Sequence, residues 1–195
     1  KEHIVTKIWL EKSYPPGVPF EIDADEYPSL GHLLIKSTDQ YADRTAFMNM
    51  GAEITYKQLA VQAFDFASYL QHQLGLVKGD KFAIMVPNTL QYPIALFGAL
   101  IAGLTVVNVN PLYTERELAH QLKDSGAKAI LIIDNFAHIL ESIIEQTAVK
   151  HVITTALGDR LGCIKGSVVN AVVKYVKKMV PAFNLPQATR FNTAL

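Results

Sequence analysis

From Lys81 onward, short apolar runs take turns with longer segments whose apolar residues recur every three or four positions. The runs Lys81–Val86, Leu104–Val109, Ala129–Ile133 and His151–Thr155 lack polar alternation, which predicts strands buried on both faces. Between them, roughly Thr89–Ala102, Thr114–Ser125 and Phe136–Thr147 have helical spacing. Thr114 and Glu117 form a capping box, and Gly126 closes that helix. One helix between successive buried strands implies right-handed crossovers. The expected fold class is therefore α/β, a doubly wound, mostly parallel sheet with flanking helices.

Upstream of Lys81 the pattern differs. Leu30, Leu33, Leu34 and Tyr41 have helical spacing behind Ser29, a suitable N-cap. A hairpin follows, Thr45–Asn49 and Glu53–Tyr56, turned through Met50-Gly51. Thr55 and Gln58 match a second capping box, opening a helix through Leu59, Ala63, Phe66, Leu70 and Leu74 that Gly75 stops. Pro15, Pro16, Pro19 and Pro28 forbid long regular elements near the start. The expected division is an extended arm over 1–28 and an incomplete N-terminal α/β domain over 29–195. Near the end, Ser167–Val180 reads as an amphipathic basic helix stopped by Pro181. It carries Val168, Val172, Tyr175, Val176 and Met179 on one side and Lys174, Lys177 and Lys178 on the other.

The 195 residues are half hydrophobic and 18% charged, a composition that folds. The 18 basic and 18 acidic residues cancel, which disfavours a generic nucleic-acid binder. Their placement is lopsided: no Asp or Glu follows Asp159, while Arg160, Lys165, Lys174, Lys177, Lys178 and Arg190 do, so the tail is +6 and the body −6. The tail is expected to meet the acidic body of its own chain, with an external anionic surface as the alternative. Cys163 is the single cysteine, so an intramolecular disulfide is impossible and a reducing cytoplasm fits. The opening residues Lys1–Val5 do not have the pattern of a secretory signal, and none is expected. The apolar stretch Pro93–Val107 is shorter than the ~20 residues a membrane span needs.

Ligands of open parallel sheets gather at the carboxyl ends of the strands, which here directs attention to Asn88, Asn110, Tyr113, Asp134 and Asn135. Asparagines there either bind a ligand or hold turns and caps. No glycine-rich phosphate loop is present; Gly162-Cys163-Ile164-Lys165-Gly166-Ser167 has the ingredients in the wrong order. The histidines His3, His32, His72, His120, His138 and His151 include no metal-binding pair at i,i+4, and no Ser sits in a nucleophile elbow. Cys163 has no neighbouring base that would mark it as a nucleophile. For the basic helix, the apolar side is expected to pack on the sheet with the lysines solvated, the alternative being contact with anionic lipid.

Larger blocks carry a resemblance. Tyr41-Ala-Asp-Arg-Thr-Ala-Phe47, Gly75-Leu-Val-Lys-Gly-Asp-Lys81, Met85-Val-Pro-Asn88, Gln91-Tyr-Pro-Ile-Ala-Leu-Phe-Gly98 and Val107-Asn-Val-Asn-Pro-Leu-Tyr-Thr-Glu-Arg-Glu-Leu118 are similar to the N-terminal part of bacterial long-chain fatty acid CoA ligases. Asn135-Phe-Ala-His138 and Val169–Tyr175 continue the match. The resemblance implies a two-step reaction of the adenylate-forming superfamily. A fatty acid and ATP give an acyl adenylate and pyrophosphate with help from Mg²⁺, and CoA then displaces AMP.

The same resemblance implies that the catalytic parts lie elsewhere. The family's Ser/Thr/Gly-rich phosphate loop, its Tyr-Gly-x-Thr-Glu segment, its ribose-binding Asp and its catalytic Lys have no counterpart here. No catalytic, cofactor-binding or metal-ligating residue is carried over. The expectation is a supporting fragment, inactive alone, whose partner is the remainder of a longer polypeptide. Its exposed faces invite homodimer formation, and its place is cytoplasmic or peripheral at the inner face of the membrane. The alternatives are a stand-alone binding module of this fold, or a related ligase for another carboxylic acid; acyl chain length is not readable.

Overall fold

The computed structural model describes residues 13–19 and 21–195. The described part of the arm forms only turns and bends up to Ser29, and the share of the predicted arm over 1–12 lies outside the described residues. Helix α1 (Leu30–Tyr41) starts where Ser29 Oγ accepts from the His32 amide. The hairpin β1 (Thr45–Asn49) and β2 (Ala52–Thr55) turns through Met50 at φ 48° and Gly51 at φ 71°. Two successive left-handed residues match the right-handed twist of a two-residue hairpin. Helix α2 (Tyr56–Ser68) opens with the predicted Thr55–Gln58 capping box and runs through a π-turn at Tyr69–Gln73.

The main sheet contains β3 (Lys81–Met85), β4 (Thr105–Asn108), β5 (Ala129–Ile133), β6 (His151–Thr155) and β7 (Thr189–Arg190). Its spatial order is β4-β3-β5-β6-β7, and every pairing is parallel. Helices α3 (Gln91–Ile101), α4 (Glu115–Ser125) and α5 (Ala137–Ile143) make the crossovers between β3 and β6.

Strand alternation sends Phe82, Ile84, Leu131 and Ile133 to one face, where α1, α2 and α3 cover them. Ala83, Met85, Ile130 and Ile132 point to the other, against α4 and α5. Every residue of β5 is buried, as the unbroken apolar run requires. The α/β sheet with helices on both faces is thus the predicted one. Phe66 of α2 anchors the first face, with ring centroids 5.8 Å from Phe82 and 5.2 Å from Phe191.

The structure departs from the sequence reading after Thr155. Helix α6 spans Cys163–Ala171 and continues as a π-turn over Val172–Val176, so it begins four residues before the expected Ser167. Ser167 does not cap it; its hydroxyl donates to the Cys163 carbonyl one turn back (2.7 Å). The break is Gly162, at φ 84°. The far end also comes early, since Lys178 sits at φ 52°.

The expected inward face is corrected as well. Val168, Val172, Tyr175, Val176 and Met179 are exposed, and the docked side is Gly166 with Asn170. Close approach decides this orientation. A Cβ on Gly166 would lie 2.3 Å from the Gly158 carbonyl oxygen, and one on Gly158 would lie 2.4 Å from that of Gly166. Only two glycines allow such contact between the helix and the turn after β6.

Candidate functional site

The crevice of an open parallel sheet opens where successive connections leave toward opposite faces. Here it lies between the ends of β3, followed by α3 on one face, and β5, followed by α5 on the other. Gln91, at the start of α3, fills it. This side chain is 1% exposed and donates from Nε2 to Thr155 Oγ1 (3.2 Å) and the Ala156 carbonyl (2.9 Å), so it crosses over the end of β5 to reach β6. Both protons of this buried amide are thereby committed to the framework at that point.

Polar groups converge one strand further along. The Asp159 carboxylate accepts from the Ala156 amide (2.8 Å), Thr155 Oγ1 (3.1 Å), Arg190 Nη2 (3.1 Å) and Asn170 Nδ2 (3.1 Å). Arg190 Nη1 meets both oxygens of Asp134, at 2.8 and 2.9 Å, and Thr154 Oγ1 at 3.1 Å. Burial opposes the Arg190 charge, but the bonds to Asp134 and Asp159 outweigh it and raise the guanidinium pKa above its ordinary value. Arg160 is the reverse case: burial lowers its pKa despite the adjacent Asp159. It bonds Gln62 of α2 and, at 3.3 Å, Asn192.

A cavity of about 310 Å³ opens beside this network, with Asp134, Asn135, Asn170, Lys174 and Arg190 among its walls. Of the five residues singled out from sequence, the structure brings Asp134 and Asn135 here. Asn135 Nδ2 donates to the Met179 carbonyl (2.9 Å), which ties the chain after α6 to the end of β5. Asn110 makes a turn instead, its Oδ1 accepting the Leu112 amide (3.0 Å). Tyr113 packs on the second core face, and the Asn88 carbonyl accepts from Asn49 Nδ2 (2.9 Å).

Gln91, Asp159, Asn170 and Arg190 were missed from sequence. For Arg190 the signal was present: a cation in a tail devoid of acids has to find its carboxylates in the body. For that residue the tail does meet its own acidic body.

Chemically the network is a structural clasp. Its guanidinium is already balanced by two carboxylates, and every oxygen of Asp159 is engaged. Among the described residues no three His, Cys, Asp or Glu side chains gather as a metal site. A second cavity, of about 380 Å³, contains Cys163 and Ser167, but the Ser167 hydroxyl is committed to the Cys163 carbonyl.

With this architecture established, comparison with known proteins places the chain. The model of the AMP-binding enzyme family matches residues 34–190, and the chain belongs to that family. It is 56% identical over 189 residues to a long-chain-fatty-acid–CoA ligase of Escherichia coli O6:H1, a match covering 97% of this chain and 34% of that protein. A ligase of the same description from Bacillus subtilis is 38% identical over 128 residues, covering 66% of this chain and 22% of the relative. The chain therefore spans about a third of the length of the relatives that match nearly all of it. Among solved structures, a putative long-chain-fatty-acid CoA ligase from Rhodopseudomonas palustris superposes with TM-score 0.67 at 17% identity, over 88% of this chain and 37% of the other. The luciferase-like enzyme of Zophobas morio gives 0.68 at 18%, over 91% and 36%. At those identities the likeness is one of fold.

Proposed function

We propose that this chain is the scaffold portion of the large N-terminal domain of a long-chain fatty acid CoA ligase. The whole enzyme would join a fatty acid to ATP, releasing pyrophosphate, and CoA thiol would then displace AMP from the acyl adenylate to give acyl-CoA. The observation that carries the reading is identity of 56% sustained over 97% of the chain.

The attack of a carboxylate on the α-phosphorus of ATP brings negative charges together. It calls for free cationic side chains, backbone donors and Mg²⁺ on the phosphates. The cations held in the described networks are not free to take a nucleoside triphosphate. Arg190 is held by Asp134 and Asp159, Lys165 Nζ donates to the Met50 carbonyl, and Lys128 pairs with Asp80 at 2.6 Å. No step of the reaction is assigned to them. Their part is to fix the sheet on which the rest of the polypeptide, the principal partner, builds the nucleotide site.

The proposed place of action is the cytoplasm. Phe47, Met48 and Phe64 remain exposed, and association with a second copy belongs to the same reading; light scattering with and without residues 1–28 tests whether the arm contributes. The central experiment is ATP–pyrophosphate exchange with a long-chain acid. These residues alone are expected to give none, and robust exchange by them would overturn the proposal.

A further inference from the structure

Helix α6 is attached to the body with almost no apolar burial. Of residues Cys163–Val176, through the π-turn, only Gly166 is buried, and a glycine contributes backbone alone. What holds the helix is polar and sparse. Asn170 accepts the Gly158 amide at Oδ1 (2.7 Å) and donates to Asp159 (3.1 Å), while Lys165 Nζ donates to the Met50 carbonyl. Segments with few buried apolar contacts sit at the low end of local stability.

Space and backbone geometry allow such a helix to move. Cavities of about 380 and about 310 Å³ flank it, and Asn170 belongs to the walls of both, so the docked ridge of α6 stands between them. Gly162, at φ 84°, forms the break before the helix. At the far end Lys178, at φ 52°, turns the chain into an irregular strap over 179–188 that gives the helix slack. Hinges are residues at element ends that absorb changes of φ and ψ, and glycine absorbs them at least cost. Of the clasp centred on Asp159 and Arg190, only the Asn170 bond reaches α6, so the clasp can stay closed while the helix leaves.

We infer that α6 is a hinged lid over the carboxyl ends of β5 and β6. It swings out about Gly162 as an intact helix, and in the open form the two flanking cavities become one cleft bordered by Asp134, Asp159 and Arg190. Open parallel sheets take ligands at the carboxyl ends of their strands, so the lid controls approach to that end of the sheet. The inference stands on the geometry of α6 and is independent of the proposed ligase activity.

The test places spin labels at exposed positions in a Cys163→Ser background and measures their separation by pulsed dipolar spectroscopy. One pair, Lys57→Cys with Val168→Cys, spans α2 and the lid; the reference pair, Lys57→Cys with Lys150→Cys, stays within the body. The parent is expected to give one dominant separation for each pair. Gly166→Ala sets a Cβ against the Gly158 carbonyl oxygen, which forbids docking, while alanine favours the helix itself. It should move the lid pair to a second separation and leave the reference pair and the helical circular dichroism unchanged. Asn170→Ala removes two bonds without a clash and should raise the same second component about tenfold over the parent. An unchanged lid pair in Gly166→Ala overturns the inference. So does loss of the helix signal in either variant, which would mean that α6 melts and does not swing. A shift of the reference pair also overturns it, since α6 would then be part of the sheet's own support.

Discussion

The sheet from β3 to β6 and the segment after Thr155 belong to one body but are held by different forces. The strands are dry: Phe82, Ile84, Ile130 and Leu131 are fully enclosed between two layers of helices. The later segment buries little apolar bulk besides Leu161, Phe191 and Ala194 and is clasped by charge-assisted hydrogen bonds centred on Asp159 and Arg190. Apolar burial acts without direction, so it tolerates imprecision and gives a predictable core. A polar clasp works only with every partner present, because a buried group left without one costs more than the bond contributes.

The largest loss is expected from Phe66→Ala, which removes a buried ring touching both Phe82 and Phe191. It should cost about 3–5 kcal/mol in urea denaturation. Asp159→Ala should cost about 2–3 kcal/mol, since the Ala156 amide and half of Arg190 lose their acceptor. The loss should appear in hydrogen exchange as local opening of residues 156–195 with β3 and β5 still protected. Opening of the whole sheet would erase the distinction between the regions. High salt should narrow the difference between parent and Asp159→Ala and leave that for Phe66→Ala unchanged.

Gly98→Ala tests the dry region more finely. Its Cβ would stand 2.8 Å from a Phe66 ring carbon and 3.0 Å from the Ala63 carbonyl oxygen, so overpacking should cost about 1–3 kcal/mol. Thr114→Ala, which removes the α4 cap, should cost about 1 kcal/mol, far from both clasp and core centre.

Acid gives the smallest effect. Burial, with Lys150 adding, holds His151 below its ordinary value of 6.5. Because the folded form disfavours protonation, its contribution is complete above 6.5 and declines as pH falls through the lowered folded value. Asp80, lowered by Lys128 and the Val77 amide, and Glu117, lowered by Thr114, add losses of the same sign below the carboxylate range. A melting-temperature series should therefore fall monotonically toward acid, and His151→Gln should flatten its upper part.

Legibility followed the same division. Strand β5 was readable to the residue, and both capping boxes and the Met50-Gly51 turn formed where the sequence places them. Strand β7 was not readable: Thr189 and Arg190 pair with Ile153 and Thr154, more than thirty positions earlier, and carry no apolar run of their own. The crevice-filling role of Gln91 was equally hidden, since its partners lie 64 and 65 residues away.

What the sequence determined by itself are features whose causes lie within a turn or two of the chain: strand runs, helix periods, caps, and the matching blocks that carry the family resemblance. The tertiary structure alone decided which side of α6 faces inward and which carboxylates hold Arg190. Periodicity marks an apolar stripe but not the neighbour it meets. In α6 the contact between Gly158 and Gly166 outranked the valines, because backbones that close admit no side chain between them.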